Sequence, residues 1–225
     1  MHPDVFNLPV TILLRDEAFV AVNKPSGMLV HRTSNNRDPV VVMTFVREAA
    51  SCHVYPVHRL DRDTSGIVLV ALTLEAARPL YDAFRQRRVD KVYHAVVAGR
   101  TPPSARLDTP LEKQEGVFQE ALTEYLTLAH GDDCSLVEVH PRNGRRHQIR
   151  RHLAGAGHPI LGDRFYGDPP RDEARFGLTR LALHASRLAF PHPLNGNEVV
   201  VEAILPDDLA QPMAKMGITP PALLG

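Results

Sequence analysis

Apolar and polar positions alternate or cluster along this chain in a way that predicts short strands separated by turns. Val10–Leu14 and Phe19–Val22 read as two strands around an Arg15-Asp16-Glu17 turn. Asn23-Lys24-Pro25-Ser26-Gly27 is a turn by composition, and Met28-Leu29-Val30 returns to apolar character. The stretch from Pro39 to Arg47 fits a helix with proline in its first turn, or a strand on account of its β-branched content. Ile67–Leu72 is a continuous apolar run, the signature of a strand covered on both faces. Thr73 is then placed to cap a helix over Glu75–Arg88, with Leu74, Ala77, Leu80, Tyr81 and Phe84 on its core face. Pro79 lies inside that pattern and predicts a kink or a shortened helix.

Further along, Tyr93–Val97, Phe118–Leu128 and Ser135–Val139 read as strands, the last two joined through Gly131-Asp132-Asp133. Pro141-Arg142-Asn143-Gly144 is a turn. Arg145–Ala154 is a short helix stopped by Gly155 and Gly157. Leu178–Phe190 is apolar enough for core, and Glu198–Leu205 alternates as a final strand. The segment after Pro206, rich in proline and glycine, predicts a loosely packed tail. The mixture argues for one α+β domain over residues 1–225, with a core of about 10–205 and a tail of 206–225.

Bulk charge does not announce a partner, because Lys+Arg 26 balances Asp+Glu 26. Its distribution does. From Arg142 to His152 there are five arginines, two histidines and no acid. A neutral chain with one concentrated basic segment still carries a positive surface, and arginines grip phosphates bidentately. Cys52 and Cys134 lie far apart with no CxxC spacing, so they read as reduced thiols. His147 and His152 are not spaced to share one metal on a helix face, and no HExxH or glycine-rich phosphate loop occurs. Neither metal nor cofactor is expected. The N-terminus lacks a signal-peptide pattern and no apolar run is long enough to span a bilayer, which predicts a cytoplasmic protein with no membrane partner.

The densest candidate chemistry is His58-Arg59-Leu60-Asp61-Arg62-Asp63-Thr64-Ser65-Gly66. It sets one carboxylate between two arginines on a polar loop that opens onto the Ile67–Leu72 strand. An aspartate at the edge of a core element, beside cations, suits attack on an electrophile or removal of a proton. Taken alone, an Asp-Arg pair in a turn is more often a capping or pairing group. The full nine-residue pattern resembles the signature of the RluA-type family, uridine-to-pseudouridine synthases of large-subunit rRNA and tRNA. Three other segments resemble the same family: Asn23-Lys24-Pro25-Ser26-Gly27 with Val30-His31, Lys91-Val92-Tyr93-His94-Ala95, and Gly144-Arg145-Arg146-His147-Gln148-Ile149-Arg150-Arg151-His152-Leu153 running on to Gly157-His158-Pro159-Ile160-Leu161-Gly162-Asp163.

The resemblance implies a fold, a large mixed and mostly antiparallel sheet with flanking helices and a central RNA-binding cleft; the few residues before Asp16 leave no room for the accessory RNA-binding domain that some relatives carry, so no separate one is expected. It implies Asp61 as the catalytic carboxylate and Arg59 as a residue holding the flipped-out RNA. Tyr93 would lie against the target uracil, Ile149 would line the base pocket, and Arg150 would pair with the aspartate. The N-terminal segment is structural first, with Lys24, His31 and Arg32 as lesser candidates for phosphate contact. Stretches such as Ala21–Gly27 and Phe176–Ala185 resemble the branch of the family that modifies uridine 65 of tRNA, so the expected partner is RNA, tRNA first, bound by a monomer. The alternatives are the same chemistry on an rRNA or another tRNA uridine, and a non-catalytic RNA-binding protein. A hydrolase is disfavoured, since no nucleophile elbow is present.

Overall fold

The structure, a computed structural model, describes residues 10–32 and 41–219. The chain divides into two compact units, Met1–Asp90 with Arg187–Ala203, and Lys91–Ser186 with Ile204–Gly225.

The first unit begins with β1 (Thr11–Arg15) and β2 (Phe19–Lys24), an antiparallel pair with a bulge between Ile12 and Leu14. Helix α1 (Val42–Ala50) follows, then the short β3 (Tyr55–Pro56), β4 (Ser65–Ala71) and helix α2 (Leu74–Arg85). All seven residues of β4 are buried, as its unbroken apolar run requires. It pairs antiparallel with β2, Phe19 opposite Ala71 and Lys24 opposite Gly66, and with β3, Tyr55 opposite Ala71 and Pro56 opposite Val70.

The valine-rich segment is a helix, not a strand. Val42 and Val46 are one turn apart and both buried, which outweighs their β preference. Its predicted start at Pro39 lies outside the described residues. In α2 the Thr73 hydroxyl accepts from the Ala76 amide at 3.1 Å, as the cap reading predicts. The helix runs through Pro79, which is exposed, so the carbonyl it leaves unbonded faces water. It ends at Arg85 rather than Arg88. The buried face is Ala76, Ala77, Leu80 and Ala83, whereas Leu74 and Tyr81 are exposed. Small residues face the sheet and let the helix sit close, which a count of large apolar positions missed.

The second unit opens with β5 (Asp90–Ala98) and continues through β6 (Ser104–Leu107), the two-stranded hairpin β7 (Leu111–Gln114) and β8 (Val117–Gln119), and the long antiparallel pair β9 (Thr123–Gly131) and β10 (Cys134–Pro141). The order is β5-β10-β9-β6, all antiparallel, with Val139 opposite Tyr93 and Leu126 opposite Ser104. The expected single strand Phe118–Leu128 is therefore two, broken before Thr123, because its first part pairs locally in the hairpin. Helix α3 (Gln148–Gly155) packs on β9 and β10, and α4 (Pro169–Phe176), which the pattern did not suggest, is capped by Asp168. Strand β11 (Leu183–Pro191) carries the chain back into the first unit, where Arg187–Pro191 pairs with β12 (Glu198–Glu202).

The predicted loose tail is instead helix α5 (Asp207–Lys215) of the second unit. Leu209, Met213, Met216 and Ile218 are all buried at about 1 % exposure or less. Their spacing is helical, and proline content had masked it. The Asp132 amide donates to the Met216 carbonyl, so the tail backs the β9–β10 turn. Each unit has its own apolar cluster. The first gathers Phe19, Ile67, Leu69, Leu80, Leu188 and Phe190. The second gathers Val97, Leu136, Leu153, Ile160, Leu178 and Met213.

Candidate active site

In the first unit Asp61 sits on a tight turn, its carbonyl accepting from the Thr64 amide at 3.2 Å just before β4 begins. Asp61 is half-exposed, while the flanking Leu60, Thr64 and Ser65 are buried and seat the loop. His58 anchors its start. The ring Nε2 accepts the Leu69 amide at 2.8 Å, and the ring stacks on Phe84 at 4.5 Å. The motif histidine is thus a strut between the loop and β4, held in the tautomer with Nε2 unprotonated.

The Lys24–Gly27 turn clamps the same loop from the other side. Lys24 is fully buried, and its Nζ donates to the carbonyls of Pro25, Met28 and Arg62 at 2.9, 2.8 and 2.9 Å. The Gly27 amide donates to the Arg62 carbonyl, the Ser26 hydroxyl to the Asp63 carbonyl, and the Arg62 Nε to the Gly27 carbonyl. Gly27 takes φ 83, a conformation that glycine adopts without strain. The suggested phosphate contact by Lys24 is corrected by this burial: its ammonium is spent on holding the Asp61 loop. Arg32 is exposed. The His31 Nδ1 is buried without a hydrogen-bond partner among the described residues. Burial, with the Arg59 charge nearby, pushes His31 below the ordinary histidine range. The structure so brings Arg59 and His31 together, and Arg59 is itself exposed.

In the second unit Tyr93 is half-buried on β5 and packs against the apolar cluster that contains Ile149. Its neighbour His94 points to the other face, opposite Glu138, with burial pushing it below the ordinary range, opposed by Glu138 and aided by His140. The Lys91 Nζ donates to the Asn143 carbonyl at 3.0 Å and ties β5 to the turn before α3.

The basic segment is less uniform than its sequence. Helix α3 begins at Gln148, so Arg145 and Arg146 stand in the preceding turn. Acids from elsewhere compensate part of the charge, Glu124 holding Arg142 at 2.7 Å and Asp163 holding Arg150. Gln148 and His152 are buried struts: the Gln148 amide nitrogen donates to the Leu122 carbonyl, and His152 bridges Thr123 Oγ1 and the Thr109 carbonyl. Arg146 is exposed and is the residue of this run that remains outward with no ion pair among the described residues.

Arg150 is the most constrained group. Its Nε and Nη2 donate to Oδ2 and Oδ1 of Asp163, both at 2.7 Å, in a buried bidentate pair. Its guanidinium also lies 5.3 Å from the Phe165 ring centroid and 5.4 Å from that of Tyr166. Burial alone pushes the Asp163 carboxyl up. The Arg150 hydrogen bonds, the Phe165 and Tyr166 amides and the Arg150 charge outweigh it and hold the carboxyl below its usual range. Gly162 adopts φ 72, and a Cβ there would collide with the Arg180 carbonyl, so no side chain fits. Gly162-Asp163 closes one of the sequence motifs, but nothing local in the sequence assigns a role to Asp163, Phe165 or Tyr166. The available signal was an acid that follows, within the same motif, a run of arginines with none of its own.

Both cysteines are free, and burial pushes the Cys134 thiol up to about 11. No group of three or more histidines, cysteines or acids among the described residues is placed to hold a metal ion, and no helix there is long and apolar enough to cross a membrane.

Residues 18–155 match the family described as RNA pseudouridylate synthase. The chain is 40 % identical over 232 residues to the tRNA pseudouridine synthase C of Salmonella typhimurium, covering 92 % of this chain and 89 % of that one. It is 40 % identical over 220 residues to the enzyme of the same name from Pasteurella multocida, covering 86 % and 90 %. Among solved structures it superposes on human RNA pseudouridylate synthase domain containing 4 with a TM-score of 0.79, 26 % identity and coverage of 94 % and 95 %. On human domain containing 1 the TM-score is 0.76, with 28 % identity and coverage of 100 % and 94 %. The α+β fold, the nine-residue aspartate loop and these likenesses agree, and the chain belongs to the RNA pseudouridylate synthase family, of the RluA type.

Proposed function

We propose that this protein isomerises uridine to pseudouridine within tRNA, at uridine 65, with Asp61 as the catalytic carboxylate. The observation that carries the reading is the Asp61 loop itself: a half-exposed carboxylate on a turn that Lys24, Ser26, Gly27 and His58 all hold in place. A loop that only bound RNA would have no need of such fixation, whereas a reacting group must be positioned to within a fraction of an ångström. The relatives named tRNA pseudouridine synthase C support tRNA as the substrate.

The reaction breaks the N1–C1′ bond, turns the uracil in place and joins C5 to C1′. The C5 proton is released and N1 gains one, so nothing is consumed. The uridine must leave its helix first, at a cost of roughly a few kcal/mol. Exposed Arg59 holds the RNA in that state. Tyr93 lies against the base, in keeping with its half-buried place on β5, and Ile149 supplies apolar contact. Arg150 takes the role the resemblance implies, partner of the catalytic carboxylate, and the Asp163 fork fixes its orientation. Asp61 acts as nucleophile or base. The compartment is the cytoplasm, where tRNA is processed.

The test is pseudouridine mapping, by chemical tagging and reverse-transcription stops, on total RNA from cells with and without the gene. Loss of one site in the tRNA T stem is the expected result. Loss of an rRNA site or a different tRNA site would keep Asp61 as catalyst and replace the substrate. No lost site, with purified protein inert on both RNA pools, would put a non-catalytic RNA-binding protein in its place.

A further inference from the structure

Phe165 is one of the most exposed large apolar side chains of the protein, at 68 %. Single exposed apolar residues are common and mean little alone. This one differs in how firmly it is held. Asp163 Oδ1 accepts the amides of Phe165 and Tyr166 at 2.9 and 3.2 Å, and the Asp163 carbonyl accepts the Gly167 amide at 2.9 Å. Asp163 is in turn immobilised by Arg150. The loop is rigid by construction, yet its apolar ring is directed at water.

The ring's neighbours are a cation and two other rings. The Arg150 guanidinium is 5.3 Å from its centroid, the His147 ring 5.6 Å and the Tyr166 ring 6.3 Å. His147 occupies the left-handed region, φ 53, a conformation a non-glycine residue holds only where its surroundings enforce it. Its Nδ1 meets the Tyr166 hydroxyl at 3.1 Å. Arg146, beside His147 in the chain, is exposed, and so is Arg164, beside Phe165. An exposed, preorganised aromatic ring bordered by arginines is the arrangement that receives a nucleobase, the ring taking the base face and the cations the phosphates.

We propose that Phe165 is a stacking platform for a nucleobase of the bound RNA, a contact that raises affinity without reading base identity. The inference rests on the RNA-modifying reading above and adds a residue to it. If the ring served only to shield Arg150, any apolar side chain of similar size would do. A stacking role requires an aromatic face.

The experiment compares wild type, F165A, F165L and F165Y on an unmodified tRNA transcript carrying uridine 65, reading KM, kcat and Kd by filter binding. F165A is expected to raise KM and Kd about tenfold while kcat at saturating RNA moves less than about twofold. F165Y is expected to restore both, and F165L to remain as weak as F165A. Wild-type binding by F165A, or rescue by F165L equal to that by F165Y, would overturn the proposal. If the wild-type protein binds RNA but forms no pseudouridine, the enzymatic reading fails and the Kd comparison alone decides the role of Phe165. A wild-type protein that neither binds nor modifies RNA overturns both.

Discussion

Arg150 and Asp163 form a two-pronged ion pair with side chains 3 % and 0 % exposed, and the same aspartate holds the backbone amides of the loop that follows it. One carboxylate thereby orients a guanidinium and shapes a loop. A buried pair adds little stability over an apolar replacement, but losing one partner strands the other charge.

Asp163→Asn is therefore expected to lower stability by about 3 kcal/mol at neutral pH, read as a fall in the urea midpoint with unchanged m-value. The pH dependence has a definite sign. The folded-state carboxyl titrates below its ordinary value of 3.8, so its contribution is complete above that value and is lost as pH falls through the lower folded value. The variant should lose less stability than wild type below about pH 4. Parallel acid-unfolding curves for the two proteins would contradict the assignment.

Asp61→Asn should abolish pseudouridine formation while leaving tRNA affinity and Tm nearly unchanged, because asparagine keeps the side chain's size and polarity and the backbone carbonyl that makes the turn contact is untouched. The check is a turnover assay alongside filter binding and thermal melting. Residual turnover near wild type would remove Asp61 from the mechanism.

Lys24→Met keeps much of the volume and removes three hydrogen bonds to backbone carbonyls. Stability should fall by about 2–4 kcal/mol. The Asp61 loop loses its clamp, so kcat should fall further than the unfolded fraction accounts for. Denaturant melts and kcat measured well below the melting temperature separate the two effects.

His94 supplies a second pH handle. Its folded-state value is depressed by burial, so the unfolded chain binds the proton more readily. Its contribution is complete above 6.5, the ordinary value, and declines as pH falls below it. Wild type should be less stable at about pH 5.5 than at about pH 7.5, and His94→Gln should flatten part of that slope. His31, shifted in the same direction, accounts for a further part. An unaltered slope in the variant would mean that His94 keeps its solution behaviour.

Much of the fold was legible because the information was local. The unbroken apolar run of β4, the Thr73 cap and the turn residues around Asp16 each act over a few residues, and each element formed where its pattern lay. The Asp61 loop was legible because its residues are contiguous. What the pattern missed depended on partners distant in sequence. The α2 face turned on which small residues let a helix approach a sheet, and the tail became α5 because its apolar spacing met the β9–β10 turn.

The site shows the same division. The sequence by itself determined where the candidate residues lie, since an aspartate between arginines and an acid-free basic run are properties of the chain. Only the tertiary structure decided which of those polar groups face outward and which are struts. Lys24, a lesser candidate for phosphate contact, is buried and became a support, and His58, Gln148 and His152, which the sequence showed only as members of motifs, are supports as well. Asp163, thirteen positions from Arg150, became its counter-charge. The reason is physical: a side chain's reactivity depends on its solvent exposure and on which donors and acceptors reach it, and both are set by segments that meet only when the chain folds.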